Sequence, residues 1–174
     1  RPMRWPGFRP DGTLVLPIDD RSGAWPARPL KLDETRFAPK RELHVTIVGR
    51  ALGARVAEAL SRESLAEREL ADAFEALDWS HDDTDAFVWL RKVKPEGVAD
   101  SIIELVDLPA LAAFHFALGR RLGDRLAVPP AHLTRWVRGD PEGIGVPDDA
   151  ALHELTVRLV AREELEAALA ARFP

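Results

Sequence analysis

Two short tripeptides carry residue types that could do chemistry together. They are His44-Val45-Thr46 and His132-Leu133-Thr134, and each lies in a segment where polar and apolar residues alternate as in a β-strand. Side chains on a strand point to opposite faces with a period of two, so His44 and Thr46 share a face, as do His132 and Thr134. If the two strands lie side by side, two imidazoles and two hydroxyls converge on a space that fits one phosphate.

The repetition of this pattern is unusual for a chain with so few of these residues. With 5 His and 11 Ser or Thr among 174 residues, chance predicts about 0.3 His-x-Ser/Thr occurrences. The other three histidines, His81, His115 and His153, do not repeat it. The pair therefore favours a functional site over two ordinary strand histidines.

These residue types suit phosphoester chemistry. The pKa of histidine, about 6.5, lets one neutral imidazole take a proton from water while a protonated one gives a proton to a leaving oxygen. The hydroxyls of Thr46 and Thr134 can donate to phosphate oxygens. Arg135 and Trp136, which follow the second tripeptide, are candidate contacts to the phosphate and to a base. The scheme needs no metal or cofactor, and the sequence leaves open which histidine is the acid.

Composition narrows the class of protein. The chain has 174 residues, 46% of them hydrophobic, a net charge of −5 and no cysteine. This excludes thiol catalysis, disulfides and cysteine-based zinc sites, and it argues against a general nucleic-acid coat. No apolar run approaches the roughly 18 residues of a membrane span, and no signal-peptide pattern opens the chain, which starts at Arg1. A cytoplasmic, monomeric protein without membrane contact is expected.

The remaining pattern predicts mixed helices and strands. We expect a surface arm over 1–12 and one bilobed domain over 13–174. Strands are predicted at 13–18, 41–49, 86–93, 101–106, 131–137 and 152–160, and helices within 51–77, from Pro109 to Gly123 and over 163–173. The helical stretch 51–77 should break near 61–64, where Ser64 resembles a capping residue, and 19–40 should be a long loop. The order predicts an α+β fold with two lobes, mostly antiparallel sheets, helices packed outside and an active-site cleft between the lobes.

The two tripeptides resemble the signature of the 2H phosphoesterase superfamily. The family pattern of apolar-His-apolar-Thr-apolar is matched in full by Leu43-His44-Val45-Thr46-Ile47. Ala131-His132-Leu133-Thr134 matches four positions of five, with Arg135 where an apolar residue is usual, and 88 residues separate the two histidines. In layout the resemblance covers roughly residues 13 to 173.

The resemblance implies phosphoester chemistry on nucleotides or RNA ends. It suggests a hydrolase of the RNA-repair or cyclic phosphodiesterase type, with His44 and His132 as the acid/base pair and Thr46 and Thr134 holding phosphate. The expected substrate is a 2′,3′-cyclic or similar cyclic phosphate on an RNA end or a small nucleotide. Two alternatives stay open: a non-catalytic nucleotide- or RNA-binding module of the same fold, and a structural domain in which the motifs coincide by chance.

Another cluster has a weaker chemical interpretation. His81-Asp82-Asp83 and Asp85 could bind a cation through oxygen and imidazole ligands, but their spacing matches no known loop. A solvated acidic turn is the favoured interpretation of this segment.

Overall fold

The computed structural model describes residues 2–19 and 25–171, which form eight strands and five helices. In chain order these are β1 (Leu14–Pro17), β2 (Leu30–Leu32), β3 (Thr35–Pro39), β4 (His44–Val48), α1 (Arg50–Ser61), α2 (Glu67–Glu75), β5 (Asp82–Lys94), β6 (Gly97–Asp107), α3 (Pro109–Leu122), β7 (His132–Arg138), α4 (Asp149–Leu155), β8 (Thr156–Val160) and α5 (Arg162–Ala170).

The strands form two antiparallel sheets. One pairs β1 with β4, and the other has the order β2-β3-β7-β6-β5-β8. The α+β class with mostly antiparallel sheets is therefore confirmed, whereas the cleft between two lobes stays a prediction. No helix in the described ranges combines the length and apolar character that crossing a membrane would require.

The six-stranded sheet is covered on both faces, as the alternation in β5 requires. Phe87 and Trp89 pack into a core with β2, β3 and α5, while Val88 and Leu90 pack into a core with residues 144–155. A third core lies between the small sheet, helices α1 to α3 and the start of β7. Neighbouring strand residues thus contact different cores, which fixes the pleat and the register of this sheet.

The N-terminal segment packs against the protein's core. The ring of Trp5 makes an edge contact with Phe74 at 5.5 Å between centroids, and its Nε1–H donates to Glu67 at 3.1 Å. Met3 and Phe8 pack against the same core. The segment therefore has a fixed place beside α2, which matters because Arg9 reaches the site described below.

Several predicted elements need correction. The predicted loop at 19–40 contains the hairpin of β2 and β3, and residues 20–24 lie outside the described residues. The first half of the predicted strand 152–160 is helix α4, whose N-cap Asp148 accepts from the backbone N–H of Ala151 at 2.7 Å. The break after α1 is confirmed, but Ser64 does not cap α2: its hydroxyl donates to the carbonyl of Ala59 at 3.1 Å.

Helix α3 begins and ends as its sequence predicts. Pro109 occupies the first turn, where its missing N–H costs nothing. Gly123 ends the helix in the left-handed conformation, with φ of 68°. The helix contacts the strand that carries the first histidine, since Nε2 of His115 lies 2.6 Å from the carbonyl oxygen of Ile47.

Candidate active site

The two strands that carry the tripeptides lie against each other although they belong to different sheets. Strands β4 and β7 are in direct contact. The middle residue of each tripeptide, Val45 and Leu133, is buried in the same core, together with Ile47. The two strands therefore turn their alternate residues toward one shared apolar interior.

The period of two then places the polar residues of both strands on the other side. His44 and Thr46 alternate with buried neighbours in β4, and His132 and Thr134 do so in β7. All four side chains are half-buried, between the closed core and open solvent. The structure thus brings both His-x-Thr pairs to adjacent strands with the same orientation relative to the core.

The two predicted contacts that follow Thr134 are turned away from this face. The β6–β7 register shifts between Ile102 and Ile103, so that Arg135 is the extra residue of a β-bulge. Arg135 is buried and donates from Nε and Nη2 to one oxygen of Glu104, at 2.9 and 2.8 Å. Burial raises the pKa of the Glu104 carboxyl, against the lowering effect of these hydrogen bonds.

Trp136 is equally unavailable to a substrate. The bulge returns it to the core face, where it is 1% exposed and donates from Nε1 to the carbonyl of Arg28 at 3.0 Å. The predicted substrate contacts of Arg135 and Trp136 are therefore not supported by their placement, since both side chains serve the interior of the protein.

A hydrogen bond to the segment just before β7 holds His132 in one tautomer. Its Nδ1 lies 2.8 Å from the carbonyl oxygen of Pro130. A carbonyl can only accept, so Nδ1 carries the hydrogen and donates it, and Nε2 keeps its lone pair in the neutral ring. Burial lowers the pKa of His132, against the smaller raising effect of this bond. The neutral form, with Nε2 as the basic atom, is therefore favoured.

His44 faces a charged neighbour where His132 faces a neutral one. Its Nδ1 is buried and lies 3.5 Å from a carboxylate oxygen of Glu42, an ion-pair approach longer than a good hydrogen bond. Burial is the main cause that lowers the pKa of His44, Lys40 adds to the lowering, and Glu42 opposes it. A hydrogen bond thus orients the ring of His132, whereas the ring of His44 has only a longer contact with a charged group.

The two threonine hydroxyls, of Thr46 and Thr134, have no hydrogen-bond partner in the described part of the chain. The 139–147 loop lies directly over Thr134: a Cβ built on Gly143 would be 3.2 Å from its methyl carbon and 3.3 Å from its hydroxyl oxygen. Because φ of Gly143 is +88°, a side chain there would be strained as well as crowded.

Three charged residues lie around His44, and two of them, Glu42 and Arg9, were missed by the sequence interpretation. Glu42 is anchored by an ion pair with Arg9 of the N-terminal segment. The backbone N–H of Lys40 donates to the carbonyl of Arg135 at 2.8 Å, and its Nζ donates to the carbonyl of Glu42 at 3.4 Å. Lys40 is therefore a cation tied both to β7 and to the approach of β4. Glu42 could have been found from the sequence, because it stands only two residues before His44.

The acidic segment after α2 has a structural role in the described chain. Strand β5 already begins at Asp82, and His81 Nε2 lies 4.0 Å from Asp83. Within residues 2–19 and 25–171, no group of three or more His, Asp or Glu side chains is arranged to hold a metal ion.

Comparison with known proteins identifies no relative. No protein-family model matches the sequence, and no curated protein or solved structure is significantly similar to it. Any functional conclusion must therefore stand on the arrangement of β4 and β7 and on the chemistry of their side chains.

Proposed function

We propose that this protein is a metal-independent phosphoesterase of the 2H type that opens a cyclic phosphate on an RNA end or a small nucleotide. The observation that carries the proposal is that β4 and β7 touch, bury Val45 and Leu133 in one core, and hold both His-x-Thr pairs away from it. Two imidazoles, together with two hydroxyls that have no hydrogen-bond partner in the described chain, form a set suited to one phosphorus centre.

The reaction follows from these groups. Thr46 and Thr134 donate to the non-bridging oxygens of the bound phosphate. A neutral imidazole takes a proton from water as the water oxygen bonds to phosphorus, and the bond from phosphorus to one ring oxygen breaks. The second, protonated imidazole gives its proton to that leaving oxygen. One water is consumed, and the product is a phosphomonoester beside a free hydroxyl.

The electrostatic partners assign the two roles. Glu42 near Nδ1 favours a positive charge on the His44 ring, an effect that Lys40 opposes, whereas a carbonyl dipole alone faces Nδ1 of His132. The bound phosphate anion favours the same charge on either ring. We therefore assign His44 as the general acid and His132 as the general base for ring opening.

A second function is favoured by the pKa directions. Burial lowers the pKa of both His44 and His132, so both rings are neutral in the free protein at pH 7. A pair that stays neutral when phosphate binds would hold a nucleotide or an RNA end without turning it over. The protein would then be a binding module of the same fold.

The decisive experiment compares single imidazole deletions on a panel of 2′,3′- and 3′,5′-cyclic nucleotides. His44→Ala and His132→Ala should each lower kcat/KM by about 10²- to 10⁴-fold, while the exposed His153→Ala serves as the matched control and keeps wild-type turnover. Activity should survive a chelator. Wild-type turnover in either variant excludes the acid/base assignment, and tight binding without turnover in the wild type selects the binding module.

A further inference from the structure

A pocket lies apart from the strands that carry the two His-x-Thr pairs. It has a volume of about 530 Å³ and is formed by α3 and the segment that follows it. This size falls in the range of small-molecule sites. It is lined by Ala112, His115, Phe116, Gly119, Arg120, Gly123, Asp124, Arg125, Leu126 and Val128. None of these residues belongs to β4 or β7.

His115 gives this pocket a buried hydrogen-bond acceptor. The side chain is 2% exposed, and its Nε2 lies 2.6 Å from the carbonyl oxygen of Ile47 in β4. Since that carbonyl can only accept, Nε2 carries the hydrogen and Nδ1 presents a lone pair. Nδ1 is buried and has no hydrogen-bond partner. Buried polar atoms are seldom left in this state, so an unpaired acceptor in a residue that lines the pocket points to a donor on a ligand.

The charges at the pocket favour an anion. Asp124 is neutralised by Arg55, whose Nη2 lies 2.9 Å from its carboxylate. Arg120 and Arg125 are exposed and form no ion pair with any described residue. The pocket therefore offers two uncompensated guanidinium groups, which suit a phosphate or carboxylate.

The apolar part of the pocket favours a flat ring. Phe116 is 70% exposed and Val128 is 39% exposed, although both are large hydrophobic residues. An exposed aromatic face can stack on a planar ligand. Gly119 lets the chain that follows α3 come close to the helix, since a Cβ there would lie 2.5 Å from the carbonyl oxygen of Asp124.

We propose that this pocket binds a planar aromatic anion that carries an N–H donor, a description met by a purine nucleotide. The donor bonds to Nδ1 of His115, the ring stacks on Phe116, and the phosphate pairs with Arg120 and Arg125. Because His115 also bonds to Ile47, occupancy of the pocket is coupled to the strand that carries His44. The proposal does not depend on the phosphoesterase activity.

The test uses 5′-AMP as the probe, with binding measured by calorimetry. Ala112→Trp fills the pocket from the exposed side of α3 and should weaken binding at least tenfold. Ala113→Trp is its matched control, because Ala113 is exposed on the same helix but does not line the pocket. Arg120→Ala with Arg125→Ala should also weaken binding at least tenfold, whereas the exposed Lys92→Ala on β5 should not.

A nucleotide could also occupy the face of β4 and β7, so each measurement is repeated in the His44→Ala/His132→Ala background. In that background, 5′-AMP should still bind fully to the pocket, and adding Ala112→Trp should remove this binding. This result is expected whether or not the protein is a phosphoesterase. The ring ¹⁵N resonance of Nδ1 in His115 should move as 5′-AMP saturates. Absence of saturable binding, or binding that Ala112→Trp leaves unchanged, overturns the proposal.

Discussion

Arg135 and Glu104 form an ion pair inside the protein, with Nε and Nη2 of the arginine donating to one carboxylate oxygen at 2.9 and 2.8 Å. Their side chains are 4% and 1% exposed. The pair joins β7 to β6 on the face opposite His132 and Thr134. The arginine at the fifth position of the second motif, which is usually apolar, is therefore part of the buried interior.

Breaking this pair should destabilise the fold without removing the site chemistry. Arg135→Met leaves a buried carboxylate uncompensated, and we expect the free energy of unfolding to fall by about 3–5 kcal/mol in urea titration. Adding Glu104→Leu removes the orphaned charge and should restore much of the loss. Folded Arg135→Met should keep kcat within a few-fold of wild type; a selective loss of kcat at unchanged stability would instead assign Arg135 to the substrate.

The β-bulge at Arg135 could not be predicted from the sequence. Strict alternation after His132 and Thr134 predicts Trp136 on the same face as these residues. The bulge adds one residue, so Arg135 and Trp136 both point to the core. No glycine or proline marks the bulge, and the Glu104 carboxylate that pairs with Arg135 is brought there only by the fold.

The packing of β4 against β7 was predictable in part. Alternation around Val45 and Leu133 fixed which side chains face inward, but only tertiary packing shows that both enter the same core. The β2–β3 hairpin was missed because its turn uses Asp33 and Glu34 at φ of 45° and 67°, where sequence rules look for glycine or asparagine. Helix α4 was also missed, although its N-cap Asp148 is a residue type that favours this position.

Glu42 is expected to tune His44. Its carboxylate opposes the lowering of the pKa of His44, so Glu42→Gln should lower that pKa further. If His44 is the general acid, the high-pH limb of kcat/KM moves to lower pH and the rate at pH 7 falls roughly 3- to 10-fold. The measurement is a pH profile of kcat/KM on the best cyclic substrate.

Glu96→Gln, in the exposed turn between β5 and β6, is the control for loss of a surface carboxylate. Its profile should overlay that of the wild type. A Glu42→Gln profile in which only the low-pH limb moves would exchange the acid and base roles, and an unmoved profile would remove Glu42 from the site.

The threonine hydroxyls should act on the charge of the transition state. Thr46→Ala and Thr134→Ala each remove one donor to a non-bridging oxygen, and we expect kcat to fall roughly 10- to 100-fold. Thr46→Ser and Thr134→Ser keep the donor and should recover most of the rate. If the alanine variants raise KM alone, the hydroxyls bind ground state and transition state equally, which contradicts a catalytic contribution.

The two imidazoles should also make stability depend on pH between 5 and 7. Burial lowers the pKa of His44 and of His132 in the folded protein, so below about pH 6.5 the unfolded chain binds protons that the folded chain refuses. Each ring therefore contributes a loss of stability as the pH falls through this window.

Glu104, whose pKa burial raises, acts in the opposite sense but is common to all variants. The fall in unfolding free energy from pH 7 to pH 5 should thus be smaller in His44→Ala/His132→Ala than in the wild type and unchanged in His153→Ala. An equal fall in all three proteins would mean that neither ring is desolvated in solution as its place beside the core implies.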